Sequence, residues 1–177
     1  MKESYPPNIQ RLIGRFLPMP VEFQTPDESV REILDAAMLE RLFGKTVVRD
    51  RTSARLCVAG LWLIAGHLDE CHSIAQAIET PDGSYWHAIM HRREGDYSNS
   101  KYWYRRAGDH PIFPKIFEVS KKIGGFHFAG IQNWDPFRFV DFCERAAKEK
   151  SLRQACIEIQ TAEWEKLFQH CYTKATA

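Results

Sequence analysis

Apolar residues recur along this chain at intervals of three and four, and clusters of proline, glycine and aspartate interrupt them. That period marks amphipathic helices. Residues 1–24, with prolines at positions 6, 7, 18 and 20, read as an irregular arm over the domain. Thr25-Pro26-Asp27-Glu28 reads as a helix start. Threonine caps, proline takes the first turn and Glu28 completes a capping box. Ile33, Leu34, Ala37, Met38, Arg41 and Leu42 continue at helical spacing, and Gly44 supplies the stop.

The pattern predicts a long helix from Thr52 or Ser53 to about Glu79, with a stripe through Leu56, Gly60, Leu63, His67, Cys71, Ile74 and Ile78. Its upper half is apolar nearly all round, which predicts a central position. Thr80-Pro81-Asp82-Gly83 reads as a turn that breaks it. A short helix from Ser84 to about Arg93 follows and ends at Gly95. Another runs from Ser98 or Asn99 to about Ala107, closed by Gly108. Pro114 opens a helix to Ile123, and residues 126–134 form an aromatic loop or strand-like segment. Asp135-Pro136 starts a helix to about Lys150, Ser151 caps the next piece, and Thr161 starts a last one ending near Tyr172. No alternating runs argue for a sheet. The expected fold is all-α, a single compact domain of roughly six or seven helices around the long central one.

Composition narrows the function. The 177 residues are 44% hydrophobic and 27% charged, with 24 basic and 23 acidic side chains and a net charge of +1. Such a balance gives no argument for general nucleic-acid affinity, because no large excess of cations is there to neutralise phosphates. Apolar runs fall short of the ~18 residues of a membrane span, and Met1 to Pro7 lack the apolar core of a secretory signal. The five cysteines include no C-x-x-C pair. Reduced thiols and a cytoplasmic location are expected. Phe137, Phe139, Val140 and Phe142 cover more than one face of their helix, which suits burial on two sides or a homodimer interface.

The densest chemistry lies between His67 and Arg106. His87 and His91 sit four apart on a predicted helix and point the same way, a spacing that suits two ligands of one divalent transition metal. Ala88 stands where a zinc-protease motif needs glutamate, so that motif is excluded. His67 and Glu70, three apart, are the natural further ligands or acid–base partners, and Asp69 with His72 forms a similar pair on an adjoining face. The expected catalytic set is therefore His67, Glu70, His87 and His91, with the same four as metal ligands. Core histidines held by hydrogen bonds would give the same pattern. Arg92, Arg93, Lys101, Arg105 and Arg106, interleaved with aromatics and close to Tyr85 and Trp86, read as the binding rim for a small anionic molecule. The alternative is that these cations pair with Glu94, Asp96 and Asp109 and staple helices together.

The run from Leu61 to Pro111 carries His-Leu-Asp-Glu-Cys-His, Gly-Ser-Tyr-Trp-His-Ala-Ile-Met-His-Arg-Arg-Glu-Gly-Asp and Lys-Tyr-Trp-Tyr-Arg-Arg-Ala-Gly-Asp-His-Pro. It resembles a group of bacterial proteins without an established activity. The resemblance spans under a third of the chain. It implies that this block acts as one unit and assigns no catalytic residue. The functional expectation is a small-anion-binding protein with a His/Glu/Arg-lined pocket, able to act on its ligand. A non-catalytic ligand- or protein-binding helical module is the alternative.

Overall fold

Side chains of Asp50, Thr80, Asp96 and Asp135 cap the starts of four helices. The computed structural model describes residues 5–22, 24–34, 39–124 and 132–177. Among them are ten α-helices and no strand: α1 Pro7–Phe16, α2 Arg31–Leu34, α3 Leu39–Phe43, α4 Arg51–Ile64, α5 Leu68–Gln76, α6 Pro81–Glu94, α7 Tyr97–Ala107, α8 Phe113–Ser120, α9 Pro136–Lys148 and α10 Arg153–Thr176. The all-α class read from the periodicity is the observed one. No described helix is long and apolar enough to cross a membrane. Ala37 and Met38, and the aromatic segment as far as residue 131, lie outside the described residues.

Several elements differ from the sequence expectation, each for a local reason. The long helix is two helices. Gly66 adopts φ +85° between α4 and α5, and a Cβ there would stand 2.9 Å from the carbonyl oxygen of Gln24. The passing segment also donates Asp27 N–H to Ala65 O at 3.1 Å. The break is thus fixed by a chain that local periodicity does not see. Thr80-Pro81-Asp82-Gly83 is the start of α6 rather than a turn. Thr80 Oγ1 accepts from Gly83 N–H at 3.1 Å and Pro81 occupies the first turn. At Thr25-Pro26-Asp27 the reverse holds: Asp27 is the cap, accepting from Ser29 N–H at 3.0 Å to open a 3-10 turn over Glu28–Val30. The irregular arm contains α1, whose Ile9 and Leu12 are buried. Thr161 starts nothing, because α10 runs through it, and its hydroxyl accepts from Met19 N–H at 3.1 Å.

The centre of the fold is α6. Every residue from Asp82 to Arg93 is buried. This helix packs most extensively against α7, and also against α5 and α4, while α10 lies along α4 and reaches α8 and α9. Gly60 of α4 makes room for the Trp86 ring, since a Cβ there would meet its atoms at 2.7 Å. Trp164 Nε1 donates to the Gly60 carbonyl at 2.8 Å. A helix buried on all sides carries its polar residues into the interior, where each must find a partner. That constraint defines the site. Phe139, Val140 and Phe142 of α9 are buried, and Phe137 is partly buried.

Candidate functional site

Three histidines meet where α5, α6 and α7 converge. His87 and His91 lie one turn apart on α6, their rings stacked at 4.8 Å and 19°. His72 of α5 meets both edge-on, at 4.5 and 5.4 Å between centroids. One ligand nitrogen from each falls within 4.8 Å of the other two. Trp103 of α7 stacks on the far side of His87 at 3.8 Å. His91 is oriented by Glu94, whose carboxylate lies 2.9 Å from Nδ1, and by Asn99, whose amide nitrogen is 3.0 Å from Nε2.

His87 is the exceptional member. It is 1% exposed, and neither ring nitrogen has a hydrogen-bond partner. Burial, and then the neighbouring His72 and His91, push its pKa down to about 3. It is therefore neutral near pH 7, with a nitrogen lone pair available.

The other residues singled out in the sequence go elsewhere. His67 caps the start of α5, with Nε2 at 2.9 Å from the carbonyl oxygen of Asp27. Glu70 pairs with Arg31 at 2.6 Å and lies 3.7 Å from His67. These three line a cleft of about 400 Å³ with Asp69 and Glu94. The basic residues do not converge on one rim. Arg92 turns inward onto Glu163 at 2.5 Å and onto the Tyr104 hydroxyl at 2.7 Å. The hydroxyls of Tyr85 and Tyr104 also donate to Glu163, each at 2.9 Å. Arg93 donates to the carbonyls of Pro20, Val21 and Glu22 and so anchors the segment before the 3-10 turn. Lys101 pairs with Asp141, Arg106 lies over Trp103 at 5.5 Å, and Arg105 is exposed. Tyr85 and Trp86 are fully buried core residues. Cys71 is also buried, and burial raises its thiol pKa well above the ordinary range.

A second cluster joins the start of α6 to the end of α10. Asp82, 4% exposed, accepts from His110 Nε2 at 2.8 Å and from Lys174 Nζ at 2.6 Å, with His170 Nε2 at 3.1 Å. His110 Nδ1 accepts from Ile112 N–H at 3.4 Å, so its proton sits on Nε2, facing the carboxylate. Burial alone would raise the pKa of Asp82. The hydrogen bonds from His110, His170 and Lys174 outweigh it and hold the carboxyl well below the usual range. Lys174 already supplies a cation here, so the arrangement is a self-neutralised network rather than an open ligand set.

Sequence spacing found His87 and His91 but neither His72 as their companion nor the separate cluster of Asp82, His110 and His170. His72 is joined to His87 and His91 by the α5–α6 turn, and Asp82 to His170 by packing across most of the chain. Neither leaves a local period. The described residues form an all-α fold with two histidine clusters, one of them neutralised by its own lysine. Comparison with protein families, curated proteins and solved structures finds no match to this chain, so the reading of the site rests on its own residues.

Proposed function

We propose that this protein binds one divalent transition metal ion through His72, His87 and His91 and takes a small anion as the remaining ligand. One observation carries the reading: both ring nitrogens of His87 are buried and unpartnered beside two other imidazoles. An unmade hydrogen bond at a buried polar group costs about 1–3 kcal/mol. A metal ion turns that cost into a bond. Three neutral imidazoles at about 2.1 Å suit tetrahedral zinc with its fourth position open. Ligand nitrogens in such a site stand roughly 3.4 Å apart, so the rings close on the ion by small rotations from their present spacing. Glu94 accepting from His91 Nδ1 leaves Nε2 as the ligand atom, and the Asn99 amide is what the metal displaces there.

Histidine ligands contribute no negative charge, so the bound ion keeps its full positive charge and attracts hydroxide, carboxylate or phosphate. A water in that position would ionise near neutral pH and serve as a nucleophile. The small anion expected from the sequence is thus read as a ligand of the metal rather than of the arginines.

The test is metal content of chelator-stripped, untagged protein after dialysis against zinc, nickel or manganese. Near-stoichiometric uptake is expected, lost in His87→Ala and His72→Ala and kept in Asp82→Asn. At a free metal concentration about 100-fold above Kd the folded state gains about 2.7 kcal/mol, read as a rise in Tm. Absence of uptake, or uptake unchanged in His87→Ala, sinks the proposal.

A further inference from the structure

The five cysteines are all buried and free, but they are not equivalent. Cys57, Cys71 and Cys171 serve as small apolar residues of the core. Cys143 of α9 and Cys156 of α10 lie on either side of the short connection between these helices, with their sulfurs 3.4 Å apart in S–H···S contact. A disulfide needs about 2.05 Å between sulfurs, so the pair is little more than an ångström short of bonding. We propose that Cys143 and Cys156 form a redox modification site that a small hydroperoxide converts to an intramolecular disulfide.

Three features of the surroundings support the chemistry. Arg92 and Arg93 are near enough to act electrostatically on Cys156, partly offset by the Glu163 carboxylate, and a nearby cation is what favours the thiolate that attacks a peroxide. The contact with Cys143 is the largest influence lowering the Cys156 pKa, burial opposes it, and the two arginines add to the lowering. Cys143 is shifted the other way, chiefly by burial, so the two thiols have unequal roles. Finally, the site is shielded. Cys143 is 5% exposed and Cys156 is closed to solvent, so a bulky disulfide is kept out and a small peroxide reaches Cys156 only as its cover opens locally.

The sequence of bonds balances without a further reagent. Cys156 thiolate attacks one peroxide oxygen and the O–O bond breaks. This gives a sulfenic acid and a hydroxide (or alkoxide) ion that collects a proton. Cys143 sulfur then attacks the sulfenic sulfur, the S–O bond breaks, and water leaves with the thiol proton. The two thiols together lose two electrons and two protons, and the peroxide is reduced to two waters, or to water and an alcohol.

The primary experiment uses the folded chain without substitution. Reduced protein is exposed to hydrogen peroxide in modest molar excess, blocked with an alkylating agent under denaturing conditions, and mapped by mass spectrometry. The expected product retains three alkylated cysteines and a Cys143–Cys156 cross-linked peptide, with a mass loss of about 2 Da before alkylation that dithiothreitol reverses. A Cys143→Ser variant is expected to stop at a sulfenic acid on Cys156 that dimedone traps. Oxidation spread evenly over the five cysteines, stepwise oxygen addition with no cross-link, or a bridge joining another pair would overturn the proposal.

Discussion

Glu163 has no exposed surface, and its carboxylate holds Arg92, Tyr85 and Tyr104 together at the core of the protein. Breaking such a pair leaves one charge buried and unmatched. Glu163→Gln is expected to destabilise the fold by about 3–5 kcal/mol, read as a lower urea midpoint at unchanged slope. Tyr104→Phe keeps the charge pair but removes a hydroxyl that donates to Glu163 and accepts from Arg92, and should cost about 1.5–3 kcal/mol. Equal effects of the two would mean that the charge is not what matters. His87 makes a separate prediction in pH. Its folded pKa lies below the unfolded value, so the unfolded chain binds the proton first. Its contribution to stability is complete above about pH 6.5 and is lost as the pH falls toward about 3. The loss over that range is at most about 5 kcal/mol and should be absent from His87→Phe. Asp82 acts lower on the scale, because its carboxylate contributes stability above about pH 4 that is lost on further acidification. The pair His87 and His91 was legible in the sequence because both residues share one helix. The inward turn of Arg92 was not, since its acceptor lies on α10, far along the chain.

At the scale of helices and turns, the start of α6 is the tightest junction. Gly83 lies so close to the Ile78 carbonyl that a Cβ would stand 2.0 Å from the oxygen. Gly83→Ala must shift the first turn of α6 and is expected to cost about 3 kcal/mol or more. Gly14 in α1 has nothing within 4 Å of the same position, so Gly14→Ala should stabilise by about 0.5–1 kcal/mol. Thermal denaturation of the two variants checks the contrast, and shifts of the same sign would refute it. The two Thr-Pro-Asp runs show what local reading can and cannot supply. Both stand at a helical beginning, although the second reads from local sequence as a turn. In one the threonine caps and in the other the aspartate does, and the choice depends on what the rest of the chain leaves free. At Asp27 the carboxylate also meets Arg15, from another helix. The α4–α5 break at Gly66 follows the same logic, because the passing backbone at Gln24 fixes it.

Across the whole molecule, α6 gathers polar side chains into the interior and three separate partners receive them. Glu163 and the tyrosines of α7 and α6 take Arg92, the network at Asp82 ties on α10, and the imidazoles of α5 and α6 are left facing one another. The all-α class and most helix identities followed from periodicity and caps, whereas which helix would be central did not. The apolar run of α4 suggested a spine, but α6, polar in sequence, is the more deeply enclosed. Trp103 gives this arrangement an optical consequence. Its indole lies flat against His87 at 3.8 Å, in direct electronic contact with the histidine cluster. Light emitted by this tryptophan should dim when nickel or copper occupies the centre. The change should vanish in Trp103→Phe, giving an unlabelled protein whose own fluorescence reports the state of its site.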